Sequence, residues 1–162
     1  MPDHDDAPRP LPDSFAQIVD DFTALSQPDR LQLLLEFSEG LPALPERYAE
    51  HKDLMEPVAE CQSPVFLAVE VAPEGRHQVG VYFDAPQEAP TTRGFAGILA
   101  EGLEGMTAEE VLGVPNDVPN RLGLSQAVSP LRLRGMAGML GRIKRQVTEQ
   151  LAAIDEKARA DG

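Results

Sequence analysis

The sequence is poor in the residues that build several common kinds of site. It has one cysteine, Cys61, in 162 residues. A single thiol forms no intrachain disulfide and no multi-cysteine zinc site. The three histidines, His4, His51 and His77, are scattered, with no pair at helical or turn spacing. Neither a metal centre nor a resident cofactor is therefore expected. Basic residues are also few, 14 Lys and Arg against 27 Asp and Glu, for a formal charge of −13. Such a surface repels phosphate backbones and argues against a nucleic-acid partner. No apolar run approaches the roughly 18 residues of a membrane span. The stretch from Met1 to Pro12 is acidic (Asp3, Asp5, Asp6) and Pro-rich. It lacks the basic start and apolar core of a signal peptide, so the cytoplasm is the expected compartment. Residues 1–12 read as a disordered tail, and 13–160 as a single domain.

Hydrophobic residues make up 42% of the chain, which excludes an intrinsically disordered protein. A chain of this length buries about 70% of its unfolded surface and needs no covalent staple. Charge is unevenly spread. Residues 1–129 carry 7 basic and 23 acidic side chains, whereas residues 130–162 carry 7 and 4. That C-terminal basic excess could steer an acidic partner, or be no more than a solvated helix face.

Asp13 or Ser14 can cap a first helix, in which Phe15, Ile18, Val19, Phe22 and Leu25 recur at helical steps. Ser26, Pro28 and Asp29 open a second helix, which Gly40 can end. Leu41–Glu60 reads as a long loop whose end, Leu54–Ala59, could be a short edge strand, since Pro57 is unsuited to a central one. Pro64–Ala72 alternates as a strand, with Val65, Leu67, Val69 and Val71 on one face. Pro73-Glu74-Gly75 is a turn, and His77–Phe83 is a second strand that should pair antiparallel with the first. A helix from Thr91 or Thr92 to about Leu103 follows. Thr107-x-x-Glu110 is a capping box for a short helix, and Ser129-Pro130 opens the longest one. Its stripe is Leu133, Met136, Leu140, Ile143, Val147, Leu151 and Ile154. Gly135, Gly138 and Gly141 cost a helix about 1 kcal/mol each and predict a close approach by another element. The fold class expected is α+β, a small antiparallel sheet of two to three strands packed against about five helices.

Cys61 falls between a Pro-rich loop and a strand, at the mouth of the sheet. A lone cysteine is often only a small buried hydrophobe. To be a nucleophile it must reach the thiolate form. Glu60 opposes that form by like charge, whereas Gln62 and Ser63 could donate hydrogen bonds to it. No His–Asp pair lies nearby to complete a hydrolase triad.

The run Pro57-Val58-Ala59-Glu60-Cys61-Gln62-Ser63-Pro64-Val65-Phe66-Leu67 resembles the active-cysteine segment of the SufE family. Leu41-Pro42-Ala43-Leu44-Pro45, Arg93-Gly94, Met106-Thr107 and Leu124–Arg132 with Gly135-Met136 also stand in that family's order, so the likeness extends over residues 14–147. The chain departs from the family pattern at Glu60, where glycine is usual, and at Pro64, Phe66 and Ala127. The resemblance implies a SufE/IscU-like fold. It also implies a sulfur acceptor that takes persulfide sulfur from a SufS-like cysteine desulfurase onto Cys61, stimulates that enzyme and passes the sulfur to an iron–sulfur scaffold. By the same likeness Arg132 would hold a partner or the cysteine loop, Asp84 and Arg93 would line the partner face, and the chain would be a monomer or weak homodimer. A thiol with this task should sit mostly buried at a loop tip and swing out on docking, since exposed reactive sulfur is oxidised. Two other readings compete: an acidic, chaperone-like binding protein with an inert cysteine, and a one-cysteine peroxidase, which would need an arginine or threonine close to the thiol.

Overall fold

The apolar period that starts at Phe15 makes α1 (Asp13–Thr23), with Phe15, Ile18 and Phe22 buried. The structure, a computed structural model, describes residues 10–161. Residues 1–9 of the stretch read as a tail lie outside the described residues; Leu11 packs against the core. Pro12, not Asp13 or Ser14, is the residue before α1. Ser14 instead donates its hydroxyl to the Gly102 carbonyl (2.7 Å), a tertiary tie in place of a cap. α2 (Gln27–Glu39) begins after Ser26 with Pro28 in its first turn and stops at Gly40.

The stretch 41–60 is more ordered than a loop. It contains α3 (Glu46–Ala49), a 3-10 turn (Lys52–Leu54) and β1 (Glu56–Pro57). Single turns are too short to show a helical period, and Pro45, which reads as a loop residue, immediately precedes α3. β1 pairs antiparallel with β2 (Phe66–Val71), which pairs antiparallel with β3 (Val79–Asp84), giving the order β1-β2-β3. Pro57 sits on the edge strand, where its missing N–H is tolerated.

α4 (Pro90–Leu103), α5 (Ala108–Leu112), α6 (Val118–Arg121) and α7 (Pro130–Asp161) complete the chain. Among the described residues, five of the seven α-helices have five residues or more, so the α+β expectation holds. The Thr107–Glu110 capping box forms in full. The Ser129 hydroxyl accepts from the Arg132 N–H (3.3 Å), as an N-cap does.

Val65, Leu67, Val69 and Val71 point into the main core, which α1, α2, α4 and α7 fill. α2 and α4 approach closely because Gly94 and Gly97 present no side chain. A Cβ on Gly97 would lie 2.2 Å from the Phe37 carbonyl oxygen. The opposite face of the sheet is covered by the 44–55 stretch, where Tyr48 and Met55 pack with Ala68, Phe66 and Tyr82. There Arg47 grips Glu70 with two bonds of 2.7 Å, and the Tyr48 hydroxyl donates to the same carboxylate (2.8 Å).

α7 also closes one sheet edge. Beyond β1, the Val69 N–H donates to Gln146 Oε1 (3.2 Å) and the Val71 N–H to Gln150 Oε1 (2.9 Å). Gln150 Nε2 returns a bond to the Val69 carbonyl (2.7 Å). Among the described residues no helix is long and apolar enough to cross a membrane.

Candidate functional site: a cysteine loop seated on α7

Val58 to Val65 form a loop between β1 and β2. The Val58 N–H closes its base on the Val65 carbonyl (2.8 Å), and the Cys61 N–H folds back to the Val58 carbonyl (3.1 Å). The loop lies on the first half of α7, where two of the helix-weakening glycines make its seat. A Cβ on Gly135 would stand 3.1 Å from the Cys61 sulfur, and one on Gly138 would stand 2.8–2.9 Å from the Glu60 side chain. Gly141 faces nothing within 4 Å, so two of the three glycines admit the approach the sequence predicts.

Charge holds the loop in this seat. Arg142, one turn beyond Gly138, donates from Nε and Nη2 to Glu60 Oε1 (3.1 and 2.8 Å). Its Nη1 donates to Glu56 Oε2 (2.6 Å), at the foot of the loop. Glu56 also accepts from Arg145 and from Gln146 Nε2 (2.8 Å). Hydrogen bonds from Arg142 hold the Glu60 carboxyl below the usual carboxylate value. Burial would raise the Glu56 carboxyl, but bonds from Arg145, Arg142 and Gln146 outweigh it and keep it low. Both acids are therefore charged at neutral pH, and the arginine pairs persist.

The Cys61 thiol is half-buried. Burial, and then the Glu60 charge, push its pKa from 9.0 up to about 11; Arg142 opposes them only weakly. At pH 7 that leaves about one thiolate in ten thousand. Among the described residues no hydrogen bond reaches the sulfur, so neither Gln62, which is exposed, nor Ser63, which is half-buried, supplies the donor that their sequence neighbourhood suggests. The seated thiol is protected rather than activated.

The remaining sequence candidates divide. Asp84 ends β3 opposite Phe66, at the same end of the sheet as the cysteine loop, and pairs with Lys52 (3.1 Å). Arg93 is committed to the frame: Nε donates to the Ser38 carbonyl (3.0 Å) and Nη1 to the Ala85 carbonyl (2.6 Å). Arg132 is exposed in the first turn of α7, three residues before Gly135, and its side chain has no partner among the described residues. Beside it Leu131 is also exposed. Sequence reasoning missed Arg142, Arg145 and Glu56. The C-terminal basic excess pointed to the helix but not to the acids it meets. Among the described residues, no group of three His, Cys, Asp or Glu is arranged to hold a metal ion.

A three-stranded antiparallel sheet, a helical layer and a single cysteine on a loop at the sheet's end define a small α+β protein built around one sheltered thiol. Residues 16–147 match the SufE family, described as a Fe–S metabolism associated domain, and the chain belongs to that family. It is 53% identical over 143 residues to an uncharacterised SufE-like protein of Mycobacterium tuberculosis, covering 88% of this chain and 97% of that one. It is 29% identical over 136 residues to the sulfur acceptor protein CsdE of Escherichia coli, covering 83% of this chain and 78% of that one. The solution structure of a hypothetical protein from Thermus thermophilus is similar in fold, with a TM-score of 0.76 and 38% identity, covering 88% of this chain and 99% of that one.

Proposed function

We propose that Cys61 is a sulfur acceptor: it takes the outer sulfur of a persulfide carried by a cysteine desulfurase and delivers it to iron–sulfur cluster assembly. The observation that carries this reading is the seat itself. A cysteine loop closed at its base, laid over two glycines and pinned by Arg142, is built to be lifted as a unit. An inert core cysteine needs no such arrangement. The membership in a Fe–S metabolism family and the likeness to a protein named as a sulfur acceptor support it.

The chemistry is thiol exchange at sulfur. Leaving the seat removes the burial that disfavours the thiolate, and Cys61 gives its proton to water or a partner base. The Cys61 sulfur then attacks the outer sulfur of the donor persulfide. One S–S bond forms and the donor's own S–S bond breaks. The desulfurase leaves as a thiolate and regains a proton, with no net oxidation. A lone cysteine suits the acceptor, because a second one nearby would collapse the new persulfide into a disulfide. Arg132 and Leu131, exposed beside the seat, are the contacts proposed for the desulfurase. The cytoplasm, which keeps thiols reduced, is the compartment this reading requires.

The test is sulfide release by a cysteine desulfurase of the same cell, with wild type or Cys61→Ser added. Stimulation by wild type alone is the expected result. Equal stimulation by both would leave a binding protein with an idle thiol, and consumption of peroxide instead would favour a peroxidase.

A further inference from the structure

The outer edge of β3, the terminal strand, is covered by the chain itself. At its start the Val79 N–H donates to the Met106 carbonyl (2.9 Å), and the His77 carbonyl accepts from the Ala108 N–H (2.8 Å). Further along, Leu41–Leu44 pack against Val81, Tyr82 and Phe83. An incoming strand finds no open ladder there. Beside this covered edge, α2, α4 and β3 leave a groove of about 580 Å³, with Pro42 and Ala43 along one side.

Each helical wall presents one face. α2 supplies residues 33, 36, 37 and 40, and α4 supplies residues 97, 100, 101 and 104. Both sets are spaced i, i+3, i+4, i+7, a stripe about 10 Å long. Gly94 meets Leu34 and Gly97 meets Phe37, so the contacts advance together and the two helices run the same way. Their C-terminal ends, which carry partial negative charge, therefore both reach the groove. Lys or Arg ordinarily offsets such an end, but neither α2 nor α4 has a basic residue in its last turn. Glu36, Glu101 and Glu104 add full charges. All three are exposed, none is in an ion pair among the described residues, and no Lys or Arg lines the groove. Between them Leu33, Phe37, Val81 and Ala100 are only half-buried. An apolar centre inside a charged, exposed rim has the make-up of a protein-binding surface, not of an enclosed small-molecule site.

We propose that this groove docks a short, basic, amphipathic helix of a partner protein. With no ladder on offer, the docked segment must satisfy its own backbone groups, and a helix does so. Its apolar stripe meets Leu33, Phe37 and Val81, and its Lys or Arg residues meet the three glutamates and the two helix ends. Two turns of it match the length of about 10 Å that the walls offer. A second copy of this chain is a poor occupant, because its own charge of −13 opposes the acidic rim. The groove lies on the β3 side of the sheet and the Cys61 loop on the β1 side, so the inference does not rest on the sulfur-acceptor reading.

The test uses the full chain, isotope-labelled, and a capped peptide of about 15 residues, the length at which an isolated helix begins to hold. The peptide carries Leu at i, i+3, i+4, i+7 and Lys elsewhere. Its controls are the same peptide with Glu for Lys, the same peptide with Pro at its centre, and hexylamine as a small apolar cation. Chemical-shift changes should centre on Phe37, Val81, Ala100 and Glu101, and each control should bind at least about tenfold more weakly. The double variant Glu101→Lys, Glu104→Lys should weaken binding of the Lys peptide about tenfold. If that variant does not fold, Glu36→Gln decides, with a smaller weakening expected. No shifts at the groove, shifts spread evenly over the acidic surface, or binding indifferent to the glutamate variants would overturn the proposal. So would equal binding of the Pro peptide or of hexylamine, or the same shifts appearing without peptide as concentration and dimer mass rise.

Discussion

Two charges stand beside the Cys61 sulfur with opposite effects, and their contributions are unequal. Glu60 adds to burial in raising the thiol, and Arg142 offsets only a small part of it. Alkylation of the seated thiol should therefore climb about tenfold per pH unit from neutrality and level off only near pH 11. Glu60→Gln removes the like charge and slackens the hold of Arg142. Its profile should level off closer to 9.0, the ordinary thiol value, with alkylation at pH 8 about tenfold faster than wild type. An unchanged profile would mean that Glu60 has no part in guarding the sulfur. The Glu60 effect is legible in the sequence because the two residues are adjacent. Arg142 is not legible, since it reaches Glu60 across 82 positions and an arginine on a helix carries no mark of what it will meet. The glycines were informative in an intermediate way: Gly135 and Gly138 announced a close approach but not its occupant. The two residues after the cysteine misled, because proximity in sequence did not place Gln62 or Ser63 where they could donate to the sulfur.

Arg142 ties the cysteine loop to α7 through Glu60 and Glu56. Removal of Arg142 has two opposed consequences: loss of a positive charge that favours thiolate, and loss of the loop's anchor. Burial is the larger cause of the raised thiol pKa, so release should win. In Arg142→Ala, amide exchange over residues 59–63 should speed up and Cys61 should alkylate severalfold faster at fixed pH. Global stability should fall by about 1 kcal/mol, because Arg145 and Gln146 still hold Glu56. A slower reaction would mean that the charge outweighs the anchor. A second element-scale prediction concerns the closed sheet edge. Gln150→Ala strands the Val71 N–H and the Val69 carbonyl, which should cost about 1–3 kcal/mol, read as a lower denaturation midpoint at unchanged slope. An unshifted midpoint would show that the glutamines do not seal the edge. The long elements were readable because their apolar periods span several turns or a full alternation: β2, β3, α4 and α7. The helical turns at 46–54 were not, because no period fits in three or four residues. Ser14 shows a further limit, a hydroxyl with the right local credentials for a cap that a distant carbonyl claims instead.

Across the whole molecule, a strongly acidic chain concentrates its basic residues on the helix that carries the seat. Arg142 and Arg145 turn inward to the loop's acids, and Arg132 faces outward beside it. The overall charge argued against a nucleic-acid partner and said nothing about the thiol. The α+β class followed from the order of periods, and the ordered motifs around Cys61 pointed to the family. What the sequence could not supply was the contact between residues 56–61 and 135–146, and that contact makes the cysteine a guarded one. The most direct test of Cys61 as the acceptor is the intact mass of the protein after incubation with a persulfide-loaded cysteine desulfurase and rapid quenching. The expected product is a species heavier by one sulfur atom, mapped to Cys61 and absent from Cys61→Ser. A mass that stays unchanged while the desulfurase is still stimulated would contradict it.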